Sequence, residues 1–452
     1  MKGVWQDVLR TAGARAGVVA LGGLLGIVTT RVVIEQFGVA AYAQYGLLNG
    51  LRNLLPFADL GIGAVVLNAV AHADDPARAR RVRRVLTTAF RVLTVSGVLV
   101  AVLCVVLQLL GWWPTILGAG LMPGGDVVAT LCLALFGLSL PLGVGSRILV
   151  GLRRTATQTV LQGLVSPLFL AGVLALTVLG SAGGEYVALA SYVAASLVSA
   201  VVLAVAARLV APQVGRAVRD VPRVRSVPGV AVAATAVPML VQSVAMPVAM
   251  QTDRLFLSHL STPRALAEYT FAGQMFGLVM QVVLSAGLSL WPYFTRARAQ
   301  ATSLSPFRLS AGFGAAAAVA LVGLVLVLPV LEAVVTDGAL HLGSLVVVGW
   351  CAFVLVQAVL YPLGMYMTDE AGLRFQVVPV LAMCVSNVAL TWVLVERLGA
   401  AGPVLASALA VLVCQVLPGA WYVRRDLARR SEERDGTHPA AVPTERGADE
   451  RA

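Results

Sequence analysis

Long apolar runs separated by short polar segments follow one another along almost the whole chain. Segments of about 20 apolar residues, the length at which a helix crosses a bilayer, recur about twelve times. They lie near residues 12–34, 42–70, 86–110, 127–150, 158–180, 185–210, 229–258, 265–294, 308–331, 341–367, 375–396 and 402–423. This pattern predicts an all-α integral membrane protein with about twelve transmembrane helices.

The composition supports a location in the membrane. Hydrophobic residues make up 59% of the 452 residues and charged residues 12%, and the mean hydropathy is +0.87. A soluble domain carries about 25% charged residues, so this chain is far less charged than a soluble protein. The five cysteines lie inside apolar runs without paired spacing, and the four histidines are scattered. We therefore expect no disulfide framework and no metal site.

Positive charge is concentrated in alternate loops. The formal net charge is +11, and arginines cluster in residues 74–84, 151–157, 212–228, 295–299 and 368–374. Because basic loops stay on the cytoplasmic side, we expect a multi-pass protein of the cytoplasmic (inner) membrane with both termini in the cytoplasm. We attribute the basicity to this topology and to anionic membrane lipids, and we expect no nucleic-acid partner. The polar tail, residues 425–452, is expected to be disordered.

The two halves of the chain resemble each other near their starts. AYAQYGLLNGL (41–51) aligns with ALAEYTFAGQM (265–275), and RVVIEQFG (31–38) aligns with RLFLSHLS (254–261). Two units of about six helices each would enter the membrane in the same direction, as a parallel repeat around a central cavity. The boundaries expected from this repeat are a lobe at 1–211, a basic linker at 212–228 and a second lobe at 229–424. Chance similarity between apolar sequences is the alternative explanation.

The second apolar run carries polar side chains on one helical face. Its members, which follow spacings of three and four residues, are Tyr42, Tyr45, Asn49, Arg52, Pro56 and Asp59. That spacing places them on one side of a helix. If the helix enters from outside near Ala41, Arg52 lies roughly 16 Å deep at about 1.5 Å per residue. Facing lipid there would cost an arginine between about 2.5 and 17 kcal/mol, so this face lines a water-filled cavity or contacts another helix.

Polar residues inside apolar runs form a set of candidates for substrate and ion binding. Those expected to bind substrate are Arg31, Asn49, Arg52, Arg254, Gln274 and Gln281. Asp59 and Asp253 are candidates for ion coupling or for balancing the arginines. Structural alternatives stay open, because Arg52 could pair with Asp59 and Arg31 could extend to the lipid headgroups. Asp253 could likewise form a local pair with Arg254.

The sequence offers little support for hydrolytic chemistry. Its single lysine is Lys2, so the chain has no GxxxxGK[ST] phosphate-binding loop and we do not expect it to hydrolyse ATP. No long outer loop and no evident Ser/His/Asp grouping suggests a catalytic site. A cationic midplane site without such machinery favours a transporter of an anionic substrate, which needs no cofactor beyond a coupling ion.

Three segments resemble the polysaccharide transporter (O-antigen flippase) branch of the MOP flippase superfamily. In TTRVVIEQFGVAAYAQYGLLNGLRNLLPFADLGIGAVVLNAVA (29–71) a helix ends in Arg, a turn leads to Tyr, and the next helix closes on Asp-Leu-Gly. The other segments are TDRLFLSHLSTPRALAEYTFAGQM (252–275) and VSNVALTWVLVERLGAAGPVLASAL (385–409). The resemblance covers essentially the whole chain except the tail, through loose patterns.

The resemblance implies flipping of an undecaprenyl-diphosphate-linked oligosaccharide, such as an O-antigen or exopolysaccharide unit, by alternating access. It also implies H⁺ or Na⁺ coupling, and membrane lipids, a glycan polymerase and export machinery as partners. By position, Arg31, Arg52 and Arg254 match the cavity cations of the family, and Asp59 and Asp253 match positions where acidic residues recur. The eighth helix departs from the family because it lacks a basic residue, and the usual lysines are absent.

Two other classes of function remain as alternatives. An ion-coupled exporter of small cationic (multidrug) compounds on a related fold would need acidic residues where Arg52 stands. A membrane glycan polymerase or ligase would carry a long outer loop with clustered Arg, His and Asp, a feature missing from this sequence.

Overall fold

A computed structural model describes residues 2–54, 61–73, 75–223, 251–299 and 305–436, and every regular element within these residues is helical. The N-terminal half holds α1 (Lys2–Leu54), α2 (Ile62–Ala71), α3 (Arg80–Leu109), α4 (Trp113–Leu117), α5 (Gly125–Ser139), α6 (Val144–Gly151), α7 (Thr155–Gly163), α8 (Val165–Thr177), α9 (Val187–Leu209) and α10 (Gln213–Asp220). The C-terminal half holds α11 (251–260), α12 (Pro263–Ala299), α13 (Pro306–Thr336), α14 (Ser344–Tyr366), α15 (Glu370–Leu398), α16 (Ala401–Val411) and α17 (Leu417–Gly436). The predicted all-α class is confirmed.

Gly38 divides α1 into two arms. Its φ of 84° and ψ of 173° break the helical path, a conformation that glycine adopts without the steric cost other residues meet. The apolar pattern predicted separate helices at 12–34 and 42–70 joined by a loop. The structure does separate two helical arms here, but one glycine takes the place of the predicted loop. The second arm, residues 39–54, therefore carries the polar stripe directly from the break.

Two predicted spans are interrupted within the bilayer region. The run at 127–150 contains α5, a 3-10 turn at Leu140–Gly143 and then α6. Pro141 lies in that turn, where the missing amide hydrogen cannot continue an α-helix. The run at 158–180 similarly divides into α7 and α8. By contrast α9 and α14 are single helices close to their predicted bounds.

The outer faces of the helices are apolar. Nine helices within the described residues are long and apolar enough to cross a membrane. Leucine and valine side chains such as Leu99 and Leu103 on α3, and Val319 and Leu326 on α13, are more than half exposed. A bilayer would cover such a surface, so the chain is a multi-pass membrane protein. The expected number of about twelve spans stays a prediction, because residues 55–60 and 224–250 lie outside the described residues.

The helices of each half pack mainly among themselves, and α1 joins the halves by packing against α12 and α13. A buried core with Leu86, Ile148 and Val202 lies within the N-terminal half. A larger core, including Leu47 and Phe271, continues from α1 into the C-terminal half. This arrangement agrees with two packed units, but the predicted lobe boundaries and the parallel repeat stay predictions.

The bundle has a basic end, formed by residues 72–73, 75–79, 152–154 and 210–223, and an opposite end, formed by 110–124, 178–186 and 261–262. At the basic end, Gln213 Nε2 donates a 2.7 Å hydrogen bond to the carbonyl of Ala77. Asp220 is buried and accepts a 2.8 Å hydrogen bond from Arg83 Nε. These contacts fix the first part of the predicted linker to the N-terminal half, and residues 224–228 of that linker lie outside the described residues.

The last helix continues beyond the predicted end of the membrane region. Residues 425–436, which were expected in a disordered tail, belong to α17. Asp426 on this helix is buried and accepts a 2.7 Å hydrogen bond from the Tyr366 hydroxyl. The rest of the tail, 437–452, lies outside the described residues.

Candidate functional site

The polar stripe on the second arm of α1 lines a cavity between the two halves. The cavity has a volume of about 250 Å³, and the stripe residues that line it are Tyr42, Tyr45, Asn49 and Arg52. Thr29 and Thr30 of the first arm, Ser166 and Phe169 of α8, Ser191 of α9 and Gln274 of α12 complete the polar and aromatic lining. We call this space the central cavity. The expectation that the stripe shares one face is met for these four residues, and Pro56 and Asp59 lie outside the described residues.

Gln274 connects the halves across the central cavity. Its Oε1 accepts hydrogen bonds from Thr30 Oγ1 at 2.8 Å and from the Tyr42 hydroxyl at 2.9 Å. One amide oxygen of α12 thus holds both arms of α1. The same side chain would be displaced by any opening of this interface, because both of its partners belong to the N-terminal half.

Arg52 and Asn49 present buried polar atoms without partners. Arg52 Nη1 and Asn49 Oδ1 are buried and find no hydrogen-bond partner among the described residues. The Arg52 guanidinium carbon lies 5.3 Å from the ring centroid of Tyr192, within the range of a cation–π contact. The Tyr192 hydroxyl donates a 2.7 Å hydrogen bond to the carbonyl of Leu48, so the ring is fixed to α1. An unsatisfied buried guanidinium atom is costly and is suited to binding an anion.

Arg254 lies close to the same interface on α11. Its Nη1 donates a 2.6 Å hydrogen bond to Gln251 Oε1, and its Nε is buried without a partner among the described residues. The side chain packs over Gly50, where an added Cβ would lie 2.8 Å from Arg254 Cδ. Arg254 is therefore held against the arm that carries Arg52, although it does not line the central cavity.

A second cavity of about 360 Å³ adjoins the central cavity within the N-terminal half, and Arg52 lines both. The described lining of the two cavities contains no aspartate or glutamate. Arg31 and Gln281 line neither cavity, and both are exposed. Arg31 Nε instead lies 3.5 Å from Glu35 Oε2 on the same helix. In this conformation these two predicted binding residues take no part in the cavities.

Asp253 lies in a buried cluster within the C-terminal half. Only 1% of the residue is exposed. Its carboxylate accepts hydrogen bonds from the Tyr269 hydroxyl at 2.8 Å, Thr391 Oγ1 at 3.4 Å and Ser407 Oγ at 3.5 Å. Asn387 joins the cluster by donating to Ser407 Oγ at 2.9 Å. The three groups that donate to the carboxylate are neutral hydroxyls on α12, α15 and α16, and the charge of the neighbouring Arg254 also acts on it.

The local pair of Asp253 with Arg254, considered from the sequence, does not form. No ion pair joins the two side chains within the described residues. The reason is geometric, because adjacent residues of a helix point in different directions. Asp253 faces the interior of the C-terminal half, and Arg254 faces α1.

Reasoning from the sequence did not assign the partners of Asp253. Tyr269, Thr391 and Ser407 lie on three helices that are distant along the chain. One local signal was available, since Asn387 and Thr391 are four residues apart and share a face of α15. Thr391 Oγ1 also lies 2.9 Å from Asn387 Oδ1. Metal-binding groups of three or more His, Cys, Asp or Glu are absent from the part of the chain that the structure describes.

The halves are also joined at the opposite end of the bundle. Ser258 Oγ accepts a 2.9 Å hydrogen bond from the backbone amide of Gly120 and donates to the carbonyl of Leu117. The adjacent His259 Nε2 lies 2.9 Å from the carbonyl oxygen of Thr115. These contacts, together with those of Gln274, close the interface on the side of the central cavity away from the basic end.

Comparison with known proteins assigns this fold. The profile of a family described as "Polysaccharide biosynthesis protein" matches residues 8–298, which is more than half of the chain. The chain belongs to the polysaccharide biosynthesis protein family. The match spans nearly all of the N-terminal half, the linker, α11 and nearly all of α12, and it includes every residue that lines the two cavities. No curated protein matches the chain.

Solved structures of MOP superfamily transporters share the fold of this family member. The lipid II flippase MurJ in an inward closed conformation has a TM-score of 0.65 at 11% identity, covering 92% of this chain and 90% of its own. An inward-facing multidrug resistance MATE transporter has a TM-score of 0.63 at 15% identity, covering 93% and 99%. A MOP superfamily transporter from Pyrococcus furiosus has a TM-score of 0.56 at 13% identity, covering 94% and 96%.

Proposed function

We propose that this protein flips an undecaprenyl-diphosphate-linked oligosaccharide, an O-antigen, exopolysaccharide or similar unit, across the cytoplasmic membrane by alternating access. The observation that carries the proposal is Arg52, whose buried Nη1 has no partner among the described residues and whose side chain lines both cavities. Membership of the polysaccharide biosynthesis protein family supports a glycan substrate. Similarity of fold to a lipid II flippase supports a lipid-linked one.

The chemistry of the substrate fits the central cavity. The diphosphate is the group that resists transfer into hydrocarbon, because its charges lose their hydration. Guanidinium groups bind phosphate oxygens through paired, charge-assisted hydrogen bonds. Arg52 supplies such a group at the wall of the central cavity, and Asn49 and Gln274 supply amides nearby. The lipid chain remains in the bilayer while the glycan and its diphosphate pass through the protein.

Alternating access requires that the cavity opens to one side at a time. The contacts of Gln274, Ser258 and His259 join the halves toward the opposite end. We assign the basic end to the cytoplasm, because arginine-rich loops favour that side, and both termini with it. The conformation described is then closed to the outside, which is the state that receives substrate from the inner leaflet.

Asp253 is the residue we assign to coupling. A buried carboxylate surrounded by hydroxyl groups holds either a proton or a small cation such as Na⁺ at low cost, whereas an isolated buried charge is expensive. Its second role would be to balance the charge of Arg254 beside it. In the N-terminal half, Asp59 stays a candidate for ion coupling or for balancing the arginines.

An ion-coupled exporter of small cationic compounds is the second candidate. Similarity of fold to a MATE transporter favours it. A cation would have to desolvate beside Arg52 in cavities whose described lining has no acidic residue, and like charges at close range repel. The lining therefore favours an anionic substrate. A glycan polymerase or ligase is the least supported candidate.

The proposal is tested by the sidedness of lipid-linked oligosaccharide in cells. A sugar-modifying reagent that cannot cross the membrane reports the fraction in the outer leaflet. We expect accumulation in the inner leaflet without the protein, rescue by wild type and no rescue by Arg52→Ala at equal membrane abundance. Arg264→Ala, on the exposed start of α12, is the matched control and should rescue. Unchanged sidedness on deletion would remove the flippase and leave the exporter, which is then tested by efflux of cationic dyes.

A further inference from the structure

The second cavity lies between Arg52 and the basic end. Its polar lining consists of Arg52, Arg147, Ser139, Ser146, Ser196 and Ser199. Arg147 lies on α6 one turn before that helix ends at Gly151, next to the loop that carries Arg153 and Arg154. We call this space the lower cavity. It thus extends from the level of the central cavity toward the end that we assign to the cytoplasm.

The lining of the lower cavity is suited to an oxyanion. Two guanidinium groups, four serine hydroxyl groups and Tyr192 line it, and the described lining includes no carboxylate. Ser139, Ser146 and Ser199 donate to carbonyls of their own helices at 2.8 Å. Each hydroxyl can rotate from such a carbonyl to a ligand, because a Ser side chain has three staggered positions. Arginine and serine together are the side chains that commonly bind phosphate.

Tyr192 holds Arg52 between the two cavities. The ring lines the lower cavity and lies 5.3 Å from the guanidinium carbon, while its hydroxyl is bonded to the Leu48 carbonyl at 2.7 Å. The contact with a ring face leaves the guanidinium edge free to form hydrogen bonds toward either space. Arg52 therefore lines both the lower and the central cavity, which follow each other along the membrane normal.

We infer that the lower cavity is a loading site, in which Arg147 and the serine hydroxyls first bind the phosphate oxygens of an isoprenoid diphosphate before Arg52 draws it into the central cavity. This inference rests on the proposed function, since it names a second subsite for the same substrate. Arg147 accepts the diphosphate near the basic end, and Arg52 keeps one phosphate bound while the other is released by Arg147. The charge is thereby compensated at each stage.

The test is binding of farnesyl diphosphate, a short isoprenyl diphosphate, to the purified full-length protein, together with flipping measured as a function of substrate concentration. We expect Arg147→Ala to weaken binding by about ten-fold, as loss of a hydrogen bond to a charged group does. It should lower flipping at limiting substrate and leave the rate at saturation close to wild type. Arg147→Lys, which retains the charge, should recover most of the binding. Arg154→Ala, in the adjacent loop and lining neither cavity, should behave as wild type.

The outcomes separate the loading site from the flippase. Binding and flipping unchanged in Arg147→Ala, with both lost in Arg52→Ala, would overturn the loading site and leave the proposed function intact. Absence of flipping by wild type would remove the proposed function itself. Displacement of the probe by an equal concentration of phosphatidylglycerol would overturn the assignment, because the lower cavity would then bind ordinary lipid headgroups.

Discussion

The Nε2 atom of His259 lies 2.9 Å from the carbonyl oxygen of Thr115. Its other nitrogen, Nδ1, lies 2.8 Å from the carbonyl oxygen of Leu255. Both neighbours are acceptors, so only the imidazolium, with a proton on each nitrogen, donates to both. Since Thr115 belongs to the N-terminal half and His259 to the C-terminal half, one exposed side chain joins the halves at the opposite end.

We predict that removal of the His259 ring weakens the closure at the opposite end. His259→Ala loses the contact with the Thr115 carbonyl, which joins the two halves. Spin labels at Trp112 and Arg264, both exposed, would report the distance between halves at that end. The closed population should be smaller in His259→Ala than in wild type. An unchanged closed population in His259→Ala would contradict this role of the side chain.

Gly46 allows the close approach of α1 and α12. A Cβ at this position would lie 3.0 Å from Thr270 Cβ, and Thr270 is fixed because it is buried and donates to the Leu266 carbonyl at 2.8 Å. We expect Gly46→Ala to separate the two helices and lower flipping several-fold, measured by the sidedness assay at equal abundance. Thr270→Ala should restore function in the double variant. Gly277→Ala on α12, whose added Cβ meets no atom within 4 Å, is the control and should be neutral.

Asp253 offers a test of coupling that is separate from substrate binding. Asp253→Asn keeps the shape and one acceptor oxygen for the Tyr269 hydroxyl, replaces the other oxygen by an NH₂ donor and carries no charge, so we expect transport that no longer depends on Na⁺ or on pH. Its thermal stability should change little, whereas Asp253→Leu leaves the Tyr269 hydroxyl without its acceptor and should cost about 1–3 kcal/mol. Transport rates of the reconstituted protein across ion gradients provide the measurement. Asp337→Asn, at an exposed position, is the control and should retain the ion dependence. If Asp253→Asn retains it equally, Asp253 has no part in coupling.

The membrane fold and the position of Arg52 on a cavity-lining face could be predicted from the local pattern of apolar and polar residues. Apolar runs long enough to cross a bilayer predicted α9 and α14 closely, because the cost of exposing backbone in hydrocarbon makes a helix the available structure. The spacing of Tyr42, Asn49 and Arg52 placed them on one face, and the structure lines one cavity with that face. Local pattern placed the break between the two arms but overestimated its length, because two helical arms can meet at one glycine without a loop.

The class of protein, the approximate spans and the polar face of the second arm could therefore be predicted along the chain, because they depend on the period and length of a helix. The packing of the helices was needed to establish which of the polar residues act together. It placed Arg31 beside Glu35 and Arg52 beside Tyr192, and it gathered Tyr269, Thr391 and Ser407 around Asp253. A helix fixes the direction of a side chain, whereas the partner of that side chain is fixed by the packing of helices that are distant along the chain.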